Sequence, residues 1–230
     1  ELRRPREWGA SWLGLYVWDM LELDTFWRSR LPSSRKGTSW LNMLKALVCY
    51  RLIDPGSEFR FHREWYVRSA IGNLLGEDYS LAQKDKAYRC LDMLLEHRDE
   101  LFGFLKGQWG KLFGAKYDVL LYDLTSTYFE SEPPPGGCDS KKRFGYSRDK
   151  RSDCVQVVVA LVLTPEGFPV AYEVYPGNTR DTATLGEFLD RIEKQYGKFR
   201  RTWLMDRGIP TEEMLEKMRE RGIDYLVGTP

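Results

Sequence analysis

Residues Val119 to Glu130 read VLLYDLTSTYFE, and this stretch decides the fold because its side chains alternate with the period of a β-strand. The odd-numbered positions begin apolar and become polar at Asp123, whereas the even-numbered positions stay apolar as far as Leu124. Successive side chains of a strand point to opposite faces, so the pattern predicts a strand with a carboxylate part-way along one face. Buried in a sheet, that carboxylate would need donors, a cation or a metal ion, because an unpaired buried charge is costly. The alternative is an aspartate that caps the turn at the end of a strand.

A second carboxylate follows a second apolar run, in the segment TWLMDRGIP from Thr202 to Pro210. Asp206 ends the run, and Thr211 is placed to cap a helix that begins directly after it. In open α/β sheets, ligands and metals bind at the carboxyl ends of strands. Two strands that each deliver an aspartate there form an arrangement suited to a divalent metal ion.

The segments between and after these two strands predict the rest of a sheet. Residues 155–164 and 169–175 are β-branched runs joined by a short turn, which indicates a β-hairpin. A helical pattern over 185–196 precedes the Asp206 strand, a second helix follows it from Thr211, and a last strand covers Asp224 to Val227. The predicted order is strand, strand, strand, helix, strand, helix, strand.

The first 116 residues show helical spacing throughout. We expect helices over 7–30, 39–52, 58–75 and 88–105, the second of them capped by Ser39. Most tryptophans of this region fall at helical spacing, which favours a place in the core over stacking on bases. The prediction is therefore an α+β or α/β chain with two domains, a helical region at 1–116 that is a candidate for DNA binding and a mixed sheet at 117–230.

Composition excludes several classes of protein. The chain has 230 residues, a net charge of +1 and four cysteines that show neither zinc-ligand spacing nor a disulfide framework. No apolar run approaches the ~18 residues of a membrane helix. We therefore expect a cytoplasmic protein with no membrane association.

The most basic segment is KKRFGYSRDKR, from Lys141 to Arg151. It interleaves two aromatic residues with six basic ones and a single acid, which is typical either of a solvated loop or of a loop that holds a nucleic-acid backbone. Beside a pair of metal-binding carboxylates, the second interpretation is favoured. The candidates for DNA binding in this segment are its six basic residues, Lys141, Lys142, Arg143, Arg148, Lys150 and Arg151. Arg207, beside Asp206, is a further candidate, and its alternative role is to anchor its own loop.

Longer words in the sequence resemble a known family. YDLTSTYFE, GYSRDKR, VVALVLTPEGFPVAYEVYPGNT, MDRGIPTEE and YLVGTP are similar to the insertion-sequence DDE transposases of bacteria, a cut-and-paste group with a ribonuclease H-like core and a Tyr-x-x-Arg-x-x-x-Glu signature. The segment RLIDPGSEFRFHREW at 51–65 resembles the helical region that precedes the catalytic core in the same group.

The resemblance implies a function and a site. In the family, three carboxylates hold two divalent ions, Mg²⁺ or Mn²⁺, and the first two correspond to Asp123 and Asp206. The third, a glutamate of the signature, has no counterpart after Asp206. We therefore expect a ribonuclease H-like core that is incomplete, cut short before the third carboxylate and inactive as this fragment.

The resemblance further implies phosphodiester hydrolysis and strand transfer at insertion-sequence ends. The expected partners are double-stranded DNA, as terminal inverted repeats and target, and a second copy of the chain in a homodimer on paired ends, within the bacterial cytoplasm and nucleoid. Two alternatives remain: a remnant that binds DNA without cleaving it, and a phosphohydrolase in which Asp123 is a nucleophile.

Overall fold

The computed structural model describes residues 5–33, 37–135, 140–146, 150–180, 184–197, 200–206 and 208–228. The chain divides into two units, Glu1–Gln108 and Trp109–Pro230. Among the described residues, no helix combines the length and the apolar composition that crossing a bilayer requires.

The first unit is helical. Its elements are α1 (Gly9–Met20), α2 (Leu23–Trp27), α3 (Trp40–Ile53), α4 (Glu58–Arg60), a π-helical turn (Phe61–Trp65), α5 (Tyr66–Arg68), α6 (Ile71–Leu75), a 3₁₀ turn (Tyr79–Ala82), α7 (Lys84–Leu94), a second 3₁₀ turn (Leu95–His97) and α8 (Arg98–Phe113), which continues into the second unit. Ser39 caps α3 as expected, because its hydroxyl accepts a hydrogen bond from the N–H of Asn42.

The single helix expected over 7–30 is wrong. The helix breaks after Met20, and Glu22 adopts a left-handed conformation with φ of 54° before α2 begins. The break lets Asp24 accept a hydrogen bond from the indole N–H of Trp18 at 2.7 Å while it pairs with Lys45 at 2.8 Å. A regular helix would place these groups differently, so tertiary contacts override the helical period here.

The expectation that the tryptophans lie in the core holds for some of them only. Trp18 and Trp27 are buried, whereas Trp8 and Trp12 are 53% and 47% exposed. The two exposed rings stack on each other at 5.9 Å, and Trp12 stacks on Tyr16 at 5.6 Å, so they form a ridge along the outside of α1. Spacing of i, i+4 and i+8 defines one face of a helix but does not say whether that face is covered.

The second unit contains one five-stranded sheet. Its strands are β1 (Val119–Phe129), β2 (Val155–Leu163), β3 (Pro169–Pro176), β4 (Thr202–Met205) and β5 (Asp224–Val227), with α9 (Leu185–Tyr196) after β3 and α10 (Glu212–Glu220) after β4. The order across the sheet is β3-β2-β1-β4-β5, with β1 antiparallel to β2 and parallel to β4. The chain therefore has the expected α+β fold, with a mixed sheet after a helical region, and the predicted element order is confirmed.

One face of this sheet carries the core. Leu120, Tyr122 and Leu124 of β1 are buried, and α9 and α10 contribute to the same apolar cluster. The hydroxyl of Tyr122 donates to the Thr184 hydroxyl at 2.8 Å, directly before α9. Thr211 caps α10 by accepting a hydrogen bond from the N–H of the residue three positions on. The packing fixes which side of β1 faces inward, and it leaves the odd-numbered side outward.

Candidate active site

Asp123 lies in the middle of the central strand. It stands opposite Leu161 of β2, and it is the first residue of β1 beyond the last pair with β4, which is Tyr122 with Met205. The Asp123 side chain is exposed, on the same side of β1 as Thr125. One carboxylate oxygen accepts a hydrogen bond from the N–H of Leu124 at 2.8 Å. That contact orients the carboxylate of an otherwise exposed side chain.

Asp206 directly follows Met205, the last residue of β4. Its side chain is exposed, and its carbonyl accepts a hydrogen bond from the N–H of Ile209 at 3.1 Å. That bond closes the turn that leads to α10, so the strand end and the turn together hold Asp206 in place. The position agrees with the prediction of an aspartate at the carboxyl end of a strand.

The register of the parallel pair brings the two aspartates side by side. Asp123 and Asp206 are each one residue past the pair of Tyr122 with Met205, on strands whose axes lie ~4.8 Å apart. Both line a shallow depression of about 770 Å³ that β5 completes through Val227. Carboxylates on neighbouring strands at one edge of a sheet form an arrangement that can share a divalent cation.

The expectation that the Asp123 carboxylate is buried is wrong. The residue lies on the exposed side of the sheet. Desolvation therefore does not force a cation onto Asp123. The proximity of Asp206 is what makes the site suited to a metal ion.

The donor set fits part of the metal site that the resemblance implies. Carboxylate oxygens are the ligands that Mg²⁺ and Mn²⁺ prefer, and Asp123 with Asp206 supplies two of them. Among the described residues, no group of three or more acidic, histidine or cysteine side chains is placed to hold a metal ion. The structure thus brings together two of the three carboxylates that the resemblance implies.

The basic segment from Lys141 to Arg151, called the basic loop below, is described by the structure over residues 141–146 and 150–151. Arg143 exchanges two backbone hydrogen bonds with Gln156 of β2, at 3.0 and 2.9 Å. The buried Gln156 side chain then donates to the carbonyls of Tyr146 at 2.8 Å and Gly177 at 3.0 Å. These bonds attach the loop to the ends of β2 and β3.

Close packing of two glycines tightens the same attachment. A Cβ on Gly177 would overlap the carbonyl oxygens of Gln156 and Arg143, and one on Gly145 would overlap the carbonyl of Gly177. Only glycine allows the two backbones to approach this closely. The loop at 140–146 is therefore held in a defined position relative to the sheet.

The predicted DNA-binding residues of this loop have different surroundings. Lys141 donates to the carbonyl of Val174 at 2.6 Å and lies 3.6 Å from the Glu173 carboxylate. Lys142 places its ammonium 4.1 Å from the centre of the Phe129 ring. Lys150 is exposed and has a positive φ of 58°.

Arg151 is already engaged with carboxylates. It pairs with Glu130 at 2.7 Å and with Asp153 at 3.0 Å. Hydrogen bonds to Asp153 and Glu130 raise the pKa of Arg151, and the guanidinium lowers the pKa of Asp153 to about 2. Part of the charge of Arg151 is thus compensated within the protein. Arg148 and Arg207 lie outside the described residues, so their predicted roles stay predictions.

A second pocket, lined in part by the residues that follow Asp123 in β1, was not predicted from the sequence. It has a volume of about 370 Å³ and is lined by Thr125 and Ser126 of β1, by Tyr146 of the basic loop, and by Asn178 and Arg180 after β3, together with further residues. Its sequence signal is the polar segment GNTR, residues 177–180, which directly follows β3. Its relation to β1 depends on the tertiary fold.

The solved structures that match this chain include Mos1 and piggyBac transposases. A Mos1 transposase paired-end complex with left transposon end is 12% identical with a TM-score of 0.34, and covers 85% of this chain and 61% of that chain. A Mos1 mariner paired end complex with Mn is 11% identical with a TM-score of 0.32, over 92% of this chain and 67% of that one. A piggyBac transposase synaptic complex with hairpin DNA is 12% identical with a TM-score of 0.39, over 82% and 39%.

The chain thus spans about three fifths of the length of the first Mos1 structure. No curated protein sequence matches it. The family model described as the transposase DDE domain matches residues 114–229, which is half of the chain and includes both Asp123 and Asp206. The chain belongs to the transposase DDE domain family.

Proposed function

We propose that this chain acts in DNA transposition and that Asp123 and Asp206 are metal ligands for phosphodiester hydrolysis and strand transfer at the ends of a mobile element. The observation that carries the proposal is the register of β1 and β4, which sets the two carboxylates next to each other at the carboxyl end of β4. Family membership supports the same assignment, because the matched segment contains both residues.

When bound, a divalent ion at such a site lowers the pKa of an attacking water and offsets negative charge on the leaving oxygen. The part of the chain is to hold that ion. Asp123, on the exposed side of the central strand, and Asp206, on the neighbouring strand, would hold the ion.

The surroundings of the two aspartates support access by a large substrate. Both side chains are exposed, and the depression that they line opens outward rather than into the core. A DNA duplex, whose major groove alone is about 12 Å wide, cannot enter an enclosed pocket. A site that cuts it therefore has to lie on a surface. The exposed side of β1 meets that requirement.

The basic loop supplies the contact with the DNA backbone in this proposal. Lys150 is exposed, Lys142 is half-buried with its ammonium over the Phe129 ring, and Arg143 is held to β2 through its backbone. Lys141 and Arg151 already have carboxylate partners, so we expect them to contribute less to phosphate binding. Arg148 and Arg207 are proposed as further phosphate contacts on the basis of the sequence alone.

The finer parts of the proposal rest on the resemblance. They are a bacterial insertion sequence as the element, its terminal inverted repeats and the target as DNA partners, a homodimer on paired ends, a cytoplasmic location, and Mg²⁺ or Mn²⁺ as the ion. The domain limits 1–116 and 117–230 belong to the same proposal, with the helical region as a candidate for DNA binding.

Two carboxylates alone bind a divalent ion weakly, since affinity rises with the number of charged ligands. We therefore expect this 230-residue chain to show little cleavage unless a third carboxylate joins Asp123 and Asp206. In that state, the chain would still bind DNA. Binding without cleavage is the alternative function that this outcome would favour.

Uptake of Mn²⁺ tests the metal site directly. Electron paramagnetic resonance of free Mn²⁺ would be recorded during a titration with wild-type chain, Asp123→Asn, Asp206→Asn and, as a matched control, Glu216→Gln, which alters an exposed acid on α10. We expect uptake to fall with either aspartate variant and to persist in the control. Equal uptake by all four proteins would refute the assignment of the ligands.

A further inference from the structure

We infer that α1 pairs with α1 of a second copy of this chain, antiparallel and through the aromatic ridge formed by Trp8, Trp12 and Tyr16. The interface joins the helical units of two copies and needs neither DNA nor metal. It therefore goes beyond the proposed function, which concerns the sheet unit and a homodimer on paired DNA ends.

Helix α1 lacks the polar side that a surface helix normally has. Of its twelve residues, GASWLGLYVWDM, only Asp19 is charged. One side carries the buried residues Ser11, Gly14 and Trp18, and Trp18 belongs to the core cluster of the helical unit. A surface helix usually places charged and polar residues opposite its buried side, and a helix that is apolar all round is usually covered all round. The composition of α1 thus indicates a second partner on its exposed side.

The exposed side of α1 presents a continuous apolar patch. Trp8, Trp12 and Tyr16 are each about half exposed, and their rings stack in series at 5.9 and 5.6 Å. Leu13 and Met20, also exposed, are neighbours of Tyr16 on the helix surface. The three rings alone present roughly 300 Å² of apolar area, since a buried aromatic side chain covers about 150–250 Å². Apolar patches of about 300–600 Å² are often interaction sites.

The spacing of the aromatic ridge is symmetric about Trp12. Trp8 precedes it by four residues and Tyr16 follows it by four, so each lies ~6 Å from Trp12 along the helix axis. In an antiparallel pair with a twofold axis at Trp12, Trp12 contacts its own mate, and Trp8 contacts Tyr16 of the second copy. A twofold interface requires a self-complementary surface, and the aromatic ridge meets that requirement.

The charges at the ends of α1 favour the antiparallel arrangement. Asp19 lies in the last turn, where the helix dipole disfavours a carboxylate, and the first turn has neither an acidic residue nor a side-chain cap. Asp19 is three residues past Tyr16 and therefore on the same side of the helix. Antiparallel pairing brings it to the start of the other α1, where free N–H groups attract an anion. Arg6 and Glu7 precede that start with opposite charges, so the helix end itself supplies the attraction.

The area of the patch predicts a weak dimer. Two such patches bury roughly 800 Å² together, which is below the ~1,200 Å² of a stable interface. Interfaces of this size give transient complexes, so we expect a Kd of about 100 µM. Association should accordingly depend on protein concentration.

Sedimentation velocity of the whole 230-residue chain, free of DNA and divalent metal, tests the interface. The concentrations run from about 5 µM to about 400 µM, which brackets the expected Kd. The proteins are wild type, Tyr16→Ser, Asp19→Lys and Tyr88→Ser. Tyr88→Ser is the matched control, because Tyr88 is 49% exposed on α7 and Tyr16 is 51% exposed on α1.

We expect the wild type to be monomeric at the lowest concentration and about half dimeric near 100 µM. Tyr16→Ser should weaken the dimer more than tenfold, because the lost contact occurs twice in a symmetric pair. Tyr88→Ser should change the Kd less than twofold.

Asp19→Lys separates the interface from the fold. It should weaken the dimer about tenfold, because a cation then faces the positive end of the other helix. The same change should raise the thermal unfolding midpoint of the dilute monomer by roughly 1–3 °C, because a cation suits the end of its own helix. A variant that merely folds poorly would lower both.

The contrary results are distinct. A wild type that stays monomeric at the highest concentration overturns the inference, as does a dimer that Tyr16→Ser weakens no more than Tyr88→Ser. Equal dimerisation of Asp19→Lys and wild type overturns the antiparallel arrangement. Flotation with anionic lipid vesicles that is lost in Tyr16→Ser, with no dimer at any concentration, assigns the ridge to a membrane surface and also overturns the inference. None of these results bears on Asp123 and Asp206, so the proposed function is tested separately.

Discussion

Replacing Gln156 by glutamate should make the stability of the sheet unit depend on pH. In the wild type, the Gln156 amide nitrogen donates to the carbonyls of Tyr146 and Gly177 at 2.8 and 3.0 Å. The side chain is 1% exposed, and its own amide oxygen has no hydrogen-bond partner among the described residues. In Gln156→Glu, a carboxylate would face two carbonyl oxygens in a buried place, with no donor to replace the lost N–H groups.

The size of the effect follows from these contacts. Protonated glutamate can still donate one of the two hydrogen bonds, so at low pH the variant should lose only about 1 kcal/mol. Burial and the two carbonyls raise the folded-state pKa of the new carboxyl, and ~3 units is an ordinary shift for a buried glutamate. Each unit is worth about 1.36 kcal/mol, which gives a further loss of about 4 kcal/mol. Because the folded pKa is the higher one, this loss is absent below the unfolded pKa of ~4.3 and grows until the pH passes the folded pKa.

The assay is urea unfolding by far-ultraviolet circular dichroism at several values between pH 5 and pH 8. Hydrogen exchange of peptides from β2 and β3 should accompany it, because exchange reports on the sheet unit separately. The quantity of interest is the difference between variant and wild type at each pH. Gln156→Leu is the matched control, since it removes the same hydrogen bonds without adding a charge and should give a loss of about 1–3 kcal/mol that does not vary with pH. If the loss in free energy of unfolding of Gln156→Glu varies as little with pH as that of Gln156→Leu, the burial of Gln156 and its two hydrogen bonds are refuted.

Three further predictions test other contacts of the second unit and of α8. In thermal unfolding, Gly177→Ala should destabilise the protein by about 1–3 kcal/mol, because the new Cβ overlaps backbone oxygens. Gly103→Ala, in an open position of α8, should stabilise the protein by about 0.5–1 kcal/mol in the same measurement. Thr211→Ala should cost about 1 kcal/mol by removing the cap of α10, and Thr211→Ser should recover most of that loss in urea titrations. Arg151→Ala should return the pKa of Asp153 from about 2 toward 3.8. The stabilisation from this ion pair is present above pH 3.8 and is lost as the pH falls through about 2. A carboxyl ¹³C titration of the variant in which the pKa of Asp153 stays low would contradict the ion pair.

The order of the sheet elements could be predicted because each strand or helix of that region has a clear period. β1 was expected over Val119 to Glu130 and is observed as Val119–Phe129, and the hairpin of β2 and β3 is also as expected. The point at which the first helix ends could not be predicted, because the helical spacing of its side chains continues past the residue at which it breaks. Glu22 has no sequence signal for a left-handed conformation, which is rare for glutamate.

The aspartate pair and the surroundings of the site differed in how far the sequence could predict them. Each aspartate could be assigned to a strand of its own because Asp123 interrupts one apolar run and Asp206 directly follows another, whereas the pairing of these two strands comes from the structure. The exposure of Asp123 could not be predicted, because a strand pattern separates two faces but does not say which one a helix covers. Arg180 and Tyr146 are 34 positions apart, and only the tertiary fold brings them to one pocket.

The unequal pairing of β1 gives the central strand a gradient of rigidity. From Val119 to Tyr122 it has a partner on each side, but from Asp123 to Phe129 only β2 pairs with it among the described strands. Amide protons that point toward the open edge should exchange with solvent faster than their neighbours that point toward β2. Asp123 is therefore the first residue of β1 that a neighbouring strand holds from one side alone among the described strands, so its backbone is less constrained than that of Val119 to Tyr122.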